Sequence, residues 1–91
     1  MALTEYTAKK KLHYGTETFD LSFNDKAYLI VSSKYGGYGC AYLLLGNYNQ
    51  VCTITKLGGQ NMSVSAEHKE NFIDTITVTM PNNFSWYVIE L

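Results

Sequence analysis

Arginine is absent from this 91-residue sequence, and its seven lysines are balanced by eight acidic residues, giving a formal net charge of -1. Proteins that bind nucleic acids need clustered basic side chains to displace the counterions of the phosphates. The near-neutral balance therefore argues against a nucleic-acid partner. A chain of this length holds one domain at most, and so small a domain has a narrow stability margin unless a disulfide, a metal or a partner chain helps.

Long apolar runs and an amino-terminal leader are also missing. No apolar run approaches the roughly 20 residues that a bilayer span needs, so we expect no membrane insertion. The first residues lack a basic start followed by an apolar stretch, so we expect no signal peptide and synthesis in a cytoplasm. Cys40 and Cys52 are expected to be unbridged core filler, because a simple hairpin that pairs Leu45 with Gln50 puts the two thiols out of register.

Short runs rich in Thr, Tyr, Val, Ile and Phe, separated by Gly, Asn, Asp or Pro clusters, fill the chain from residue 16 onward. This pattern predicts an all-β fold. Residues 26–33 and 40–45 are apolar on both faces, which predicts central strands that are covered on both sides, either within a sandwich or by a neighbouring subunit. Residues 67–71 are expected to form a charged, solvated loop. We predict an antiparallel, jelly-roll-like β-sandwich of about seven strands over residues 16–91.

Residues 1–15 differ in character from the rest of the chain. Thr4 can cap a short helix that runs to Leu12, with an acidic residue near its start and lysines near its end, as the helix dipole prefers. The apolar stripe of this segment is too weak for a stable isolated helix. We therefore expect an amino-terminal arm or short helix whose structure depends on docking.

Catalytic and metal-binding patterns are not evident. His13 and His68 have no second ligand at metal-binding spacing, and we expect both to be surface histidines. No serine lies in a nucleophile elbow, nothing selects a pair of carboxylates for glycoside cleavage, and the glycines at 36–39 precede a strand without the lysine of a phosphate-binding loop. We expect no enzymatic activity, no metal and no cofactor.

Tyrosine is the most informative surface residue type. Tyr35, Tyr38 and Tyr48 fall in loops rich in Gly and Asn, and Asn47 and Asn49 lie beside Tyr48. Flat aromatic faces combined with amide groups are the chemistry that holds a sugar or the surface of another protein. We predict that these five residues contact a ligand. The rings can instead fold back over the sheet edges, so a purely structural role stays open.

Four segments carry a family resemblance, namely residues 19–23, 27–33, 40–46 and 76–91. Their pattern resembles the distal β-sandwich, or knob, domains of tail-fibre and other virion appendage proteins of phages and prophages of gut bacteria. The resemblance covers about residues 16–91 and is one of pattern, without a signature motif.

The resemblance implies a non-enzymatic virion protein that binds a host-surface glycan or protein as a homo-oligomer, with a trimer favoured. The amino-terminal arm would then contact other virion proteins. Two alternatives stay open. One is a structural capsid-decoration or virion-assembly protein, and the other is a small bacterial carbohydrate-binding module, which would be a stable monomer.

Overall fold

The computed structural model describes residues 10–33 and 39–91, and strands account for most of them. In chain order the eight strands and one 3-10 turn of this part are β1 Lys10–Tyr14, β2 Glu17–Ser22, β3 Ala27–Ser32, β4 Cys40–Asn47, β5 Gln50–Gly59, β6 Ser63–Glu70, β7 Ile73–Thr79, the turn Pro81–Asn83, and β8 Ser85–Glu90. Within the described residues, no helix has the length and apolar character needed to cross a membrane.

The strands form two antiparallel sheets, which confirms the predicted all-β sandwich. One sheet has five strands in the order β1-β8-β3-β4-β5, and the other has three in the order β2-β7-β6. The predicted central position of residues 26–33 and 40–45 is also confirmed, because β3 lies between β8 and β4, and β4 lies between β3 and β5. Strands with apolar side chains on both faces occupy the positions with a hydrogen-bonded neighbour on each side.

The core lies between the sheets and is built from alternate residues of the central strands. Trp86, Ile30, Leu44, Ile76 and Val78 are its largest apolar side chains with no more than trace exposure. Each buried aliphatic side chain of this size contributes roughly 1.5 to 3 kcal/mol of transfer free energy. The indole of Trp86 also donates from Nε1 to the carbonyl oxygen of Gly15 at 2.7 Å, so its polar atom is satisfied inside the core.

The amino-terminal segment differs from the expected helix. Residues 10–14 form β1, which pairs with β8 from Lys10 opposite Ile89 to Tyr14 opposite Ser85. The helical pattern is local and weak, whereas pairing with β8 satisfies the backbone and places His13 against the core. This strand raises the count from the expected seven to eight over the described residues. Residues 1–9 lie outside the described residues.

Two connections also differ from the sequence prediction. Residues 67–70 are not a loop but the end of β6, and Asn71 takes a positive φ of 48° in a tight turn to β7. In the β4–β5 hairpin, Asn47 rather than Leu45 faces Gln50, because a register irregularity lies between Leu45 and Asn47. Charged side chains on a solvated strand face explain the first error, since exposure alone does not distinguish a strand from a loop.

Candidate functional site

A buried carboxylate, Asp74 in β7, links the two sheets. Asp74 is 1% exposed, and its Oδ2 accepts a hydrogen bond of 2.7 Å from the backbone N–H of Cys52 in β5. His68 Nδ1 lies 2.8 Å from Asp74 Oδ1, where the ring nitrogen donates and the carboxylate accepts. Burial is the largest cause and the contact with Asp74 the next, and together they raise the pKa of the Cys52 thiol to about 12. The thiol therefore stays protonated near neutral pH and is a poor nucleophile.

The predicted surface position is confirmed for His68, which is exposed, and is wrong for His13, which is half-buried, and each histidine has a carboxylate partner. His68 is the register partner of Asp74 across the β6–β7 hairpin. The side chain of His13 is 10% exposed, stacks on Trp86 with ring centroids 4.4 Å apart, and has Nδ1 3.0 Å from Glu17 Oε1. The hydrogen bond with His13 lowers the pKa of the Glu17 carboxyl. Within residues 10–33 and 39–91, no three His, Cys, Asp or Glu side chains are grouped so as to hold a metal ion.

A cavity of about 270 Å³ opens between the edge strands β1 and β2. Several polar groups around it already have partners. Asp20 accepts hydrogen bonds from Lys69 Nζ and from Thr75 Oγ1, both at 2.7 Å, and the hydroxyl of Tyr28 donates to the carbonyl oxygen of Ser22 at 2.7 Å. These bonds fix the walls of the cavity and reduce the hydrogen-bonding capacity that its lining can offer to a ligand.

Two of the predicted ligand-contact residues, Tyr48 and Asn49, form the turn between β4 and β5. Tyr48 is 62% exposed, and its ring centroid lies 5.2 Å from that of Phe72 in the neighbouring β6–β7 turn. Asn49 has a positive φ of 54°, and its backbone N–H donates to the carbonyl oxygen of Asn71 at 2.9 Å. The two turns thus support each other and present one aromatic ring to the surroundings.

The other predicted contact residues are placed differently. The Asn47 amide donates from Nδ2 to the Val51 carbonyl oxygen at 2.8 Å and to Thr53 Oγ1 at 3.1 Å, so it stabilises the hairpin. Tyr35 and Tyr38 lie outside the described residues. Ligand contact by the five residues stays a prediction.

The outward side of the five-stranded sheet is unusually apolar for a surface that meets solvent, and we call it the apolar face. Its central strands carry Leu29, Val31, Leu43, Tyr87 and Ile89 on this side, each half-buried. Two further apolar side chains on this side are more exposed, namely Leu12 in the edge strand β1 at 43% and Leu45 in β4 at 45%. The apolar face is defined by these seven residues together with the smaller side chains between them.

Charge is nearly missing from the apolar face. Among the outward positions that the strand register pairs, Lys10 is the only charged residue. Its Nζ lies 4.3 Å from the centroid of the Tyr87 ring, a cation–π distance. The described strands all belong to the two sheets, so no third layer of strands covers this face within residues 10–33 and 39–91.

The outward side of the three-stranded sheet has the opposite character, and we call it the polar face. Apart from Ile73, its register-paired side chains are hydroxyls or charged groups. They are Thr18, Asp20, Ser22, Ser63, Ser65, Glu67, Glu70, Thr75, Thr77 and Thr79. A solvated antiparallel sheet shows polar alternation of this kind on its outer side, and an apolar outer side marks a surface that another layer covers. The two outer faces of this small domain therefore differ in chemical character.

A depression of about 360 Å³ lies on the apolar face where β5 bulges away from β4. Among the described residues its lining comprises Val31, Ser32, Ser33, Gly39, Cys40, Ala41, Leu57, Gly58 and Gly59. A Cβ added to Gly58 would meet no atom of residues 10–33 and 39–91 within 4 Å, so these residues leave space beside Gly58. The apolar face therefore has a hollow that a protruding side chain can fill.

No family model matches the chain, and neither a curated protein nor a solved structure gives a significant match.

Proposed function

We propose that the protein is a non-enzymatic binding and assembly module of the virion-appendage type. It acts as an oligomer, joined through the apolar face, and presents the turn around Tyr48 to a glycan or protein on a host surface. The observation that carries this proposal is the contrast between the apolar face and the polar face of the same sandwich.

Hydrophobic free energy supports assembly through the apolar face. Complete burial of a Leu- or Val-sized side chain is worth roughly 1.5 to 3 kcal/mol. Leu12 and Leu45 are 43% and 45% exposed, so their remaining burial alone offers about 1 to 3 kcal/mol for association. A domain of 91 residues has a total stability on the order of only 5 to 14 kcal/mol. Covering this face would therefore add a considerable fraction to the stability of the fold.

The β4–β5 turn supports the binding half of the proposal. The Tyr48 ring is exposed and is backed by Phe72, so it offers a flat surface whose orientation is already fixed. Aromatic rings held in this way add contact area at a small cost in conformational entropy, and they suit both sugar faces and protein surfaces. Asn49 holds the turn through its bond to Asn71, so the ring position depends on the fold.

The assembly half is tested with Leu43→Glu, which puts a charge at the centre of the apolar face. Ser65→Glu is the matched control, because Ser65 lies exposed on the polar face. Size exclusion with light scattering should show that Leu43→Glu lowers the mass while Ser65→Glu leaves it unchanged. Fluorescence of Trp86, the single tryptophan, reports whether each variant is folded. Equal masses for the folded variants would contradict assembly through this face.

The binding half is tested with fluorescently labelled protein and intact gut bacteria, read by flow cytometry. Tyr48→Ala should reduce the labelled-cell signal at least about tenfold, the size of effect expected for an exposed aromatic contact residue. Ser65→Ala on the polar face should leave the signal unchanged. Binding by the wild-type protein that survives Tyr48→Ala undiminished would remove this turn from the proposed contact surface.

A further inference from the structure

The strand register aligns the outward side chains of the five-stranded sheet in rows that cross all five strands. Side chains in one row lie at the same position along the strand direction on the apolar face. One row, which we call the knob row, contains in spatial order Leu12, Tyr87, Val31, Ala41 and Gly58.

The knob row is graded in size from one edge of the sheet to the other. Leu12 and Tyr87 at the β1 and β8 end are large, and Leu12 is 43% exposed. Ala41 and Gly58 at the β4 and β5 end are small and form part of the depression. Val31 on the central strand β3 lies between the two ends. A surface that is convex at one end and concave at the other can complement a second copy of itself that is turned around.

We propose that the apolar face binds a second copy of this chain, with a two-fold axis that runs parallel to the strands over β3. This inference rests on the proposed function, since it names the partner and the geometry of the assembly. The axis places β1 of each copy over β5 of the other. Leu12 of one copy then enters the depression beside Gly58 of the second copy, and Tyr87 lies over Ala41.

The one charge on the face is compatible with the same axis. The row next to the knob row contains, in the same order, Lys10, Ile89, Leu29, Leu43 and Thr55. An axis parallel to the strands brings Lys10 of one copy to Thr55 of the other, and the threonine hydroxyl can accept a hydrogen bond from the ammonium group. An axis perpendicular to the strands would instead place β1 over β1 and β5 over β5, so Leu12 would not meet the depression of the second copy.

The dimensions of the face are sufficient for such a dimer. Five strands spaced about 4.8 Å apart and about six residues long, at about 3.3 Å per residue, give roughly 24 by 20 Å. Two such faces bury about 1,000 Å² together, which lies at the lower limit for a specific interface. Sheets that pack in this way lie about 10 Å apart with strands roughly aligned, as an axis along the strands requires. One self-complementary patch closes as a dimer, unlike the trimer that the family resemblance favours.

The decisive test fills the depression. Gly58→Trp should weaken the dimer roughly 30-fold or more by sedimentation, because the indole occupies the space that Leu12 of the second copy needs. Its monomer should fold normally, since no atom of the described residues lies within 4 Å of a Cβ at this position. Ser65→Trp on the polar face is the control and should leave association unchanged. Combining Leu12→Ala with Gly58→Trp should restore part of the lost affinity, because the smaller alanine of one copy no longer collides with the indole in the depression of the other copy.

A charge exchange tests the axis. Thr55→Lys should weaken the dimer and Lys10→Glu combined with Thr55→Lys should restore it. Within one copy these positions are four strands, or about 19 Å, apart, which is beyond the screening length of roughly 8 to 10 Å, so any rescue comes from contact between copies.

The outcomes separate this inference from the function on which it rests. A wild-type oligomer whose association is unaffected by Gly58→Trp and by the charge exchange would overturn the two-fold geometry and leave oligomeric assembly standing. A wild-type trimer would do the same. A wild-type chain that stays monomeric would overturn both.

Discussion

Replacing Asp74 by alanine removes a buried carboxylate that bridges the two sheets through the core. The Cys52 N–H then loses its acceptor, and His68 loses its partner. Because Cys52 is 5% exposed, water does not readily replace the lost acceptor. The substitution should therefore destabilise the fold far more than the loss of an ordinary surface carboxylate.

The magnitude follows from the two bonds. A buried N–H left without an acceptor costs about 1 to 3 kcal/mol. The His68 side chain is 26% exposed and can turn to water, so its lost bond adds only about 1 kcal/mol. We expect a loss of about 3 kcal/mol in the free energy of unfolding, against a total on the order of 5 to 14 kcal/mol. Asp74→Asn keeps an oxygen acceptor for Cys52 and should lose about 1 kcal/mol.

Urea denaturation measures this loss, with Trp86 fluorescence and circular dichroism as independent probes. With a denaturant slope of about 1 to 1.5 kcal/mol per molar, the midpoint of Asp74→Ala should fall by about 2 M. Two protein concentrations should be compared, so that weakened self-association is not mistaken for a weakened fold. A midpoint within about 0.5 M of wild type, or equal losses for alanine and asparagine, would refute the role assigned to this carboxylate.

Three further outcomes follow from other contacts. Gly46→Ala should lower the free energy of unfolding by about 1 to 3 kcal/mol, because the added Cβ would lie 2.1 Å from the Phe23 Cβ. Gly58→Ala should be near neutral, because its Cβ meets no described atom within 4 Å. Equal urea midpoints for the two variants would disprove this packing argument. The pKa of the Cys52 thiol is raised to about 12, so at pH 8 it should react with a thiol reagent about 100-fold more slowly in the folded protein than in the unfolded protein. Rapid labelling of Cys52 in the folded protein would contradict its burial. Because the pKa of Glu17 is lowered by folding, its contribution to folding stability is present above the ordinary pKa of 4.5 and is lost as the pH falls through the folded pKa. Glu17→Gln should therefore make the free energy of unfolding depend less on pH in the acid range. An unchanged pH dependence would contradict this.

The sandwich and its central strands were predictable because the signal is local. Leu29 and Val31 alternate with Tyr28 and Ile30, so β3 is apolar on both sides, and this pattern requires a neighbour on each face. The sequence therefore predicted a second covering layer for β3, within the sandwich or from another subunit. The core covers Ile30, while Leu29 and Val31 lie on the apolar face.

The errors concern contacts that are distant in sequence or irregular in geometry. Strand β1 pairs with β8 about 75 residues away, and its lysines favour helix by propensity alone. The shifted register at Asn47 depends on its side-chain bonds to Val51 and Thr53, which no periodicity reveals.

The contact between His68 and the buried Asp74 was also missed, although a signal for it exists. His68 and Asp74 flank the turn residues Asn71 and Phe72, so a hairpin centred there makes them cross-strand neighbours. Treating residues 67–71 as a loop removed that possibility. The apolar face, by contrast, needs the order of the strands, since the rows that join Leu12 to Gly58 appear only when β8 is inserted between β1 and β3.

The central claim is that the apolar face joins two copies of this chain, and the mass of the wild-type protein across a dilution series tests it most directly. Light scattering should give a mass of twice 10.3 kDa at about 100 µM, falling toward 10.3 kDa on dilution. A mass that stays at 10.3 kDa throughout the series would contradict the account.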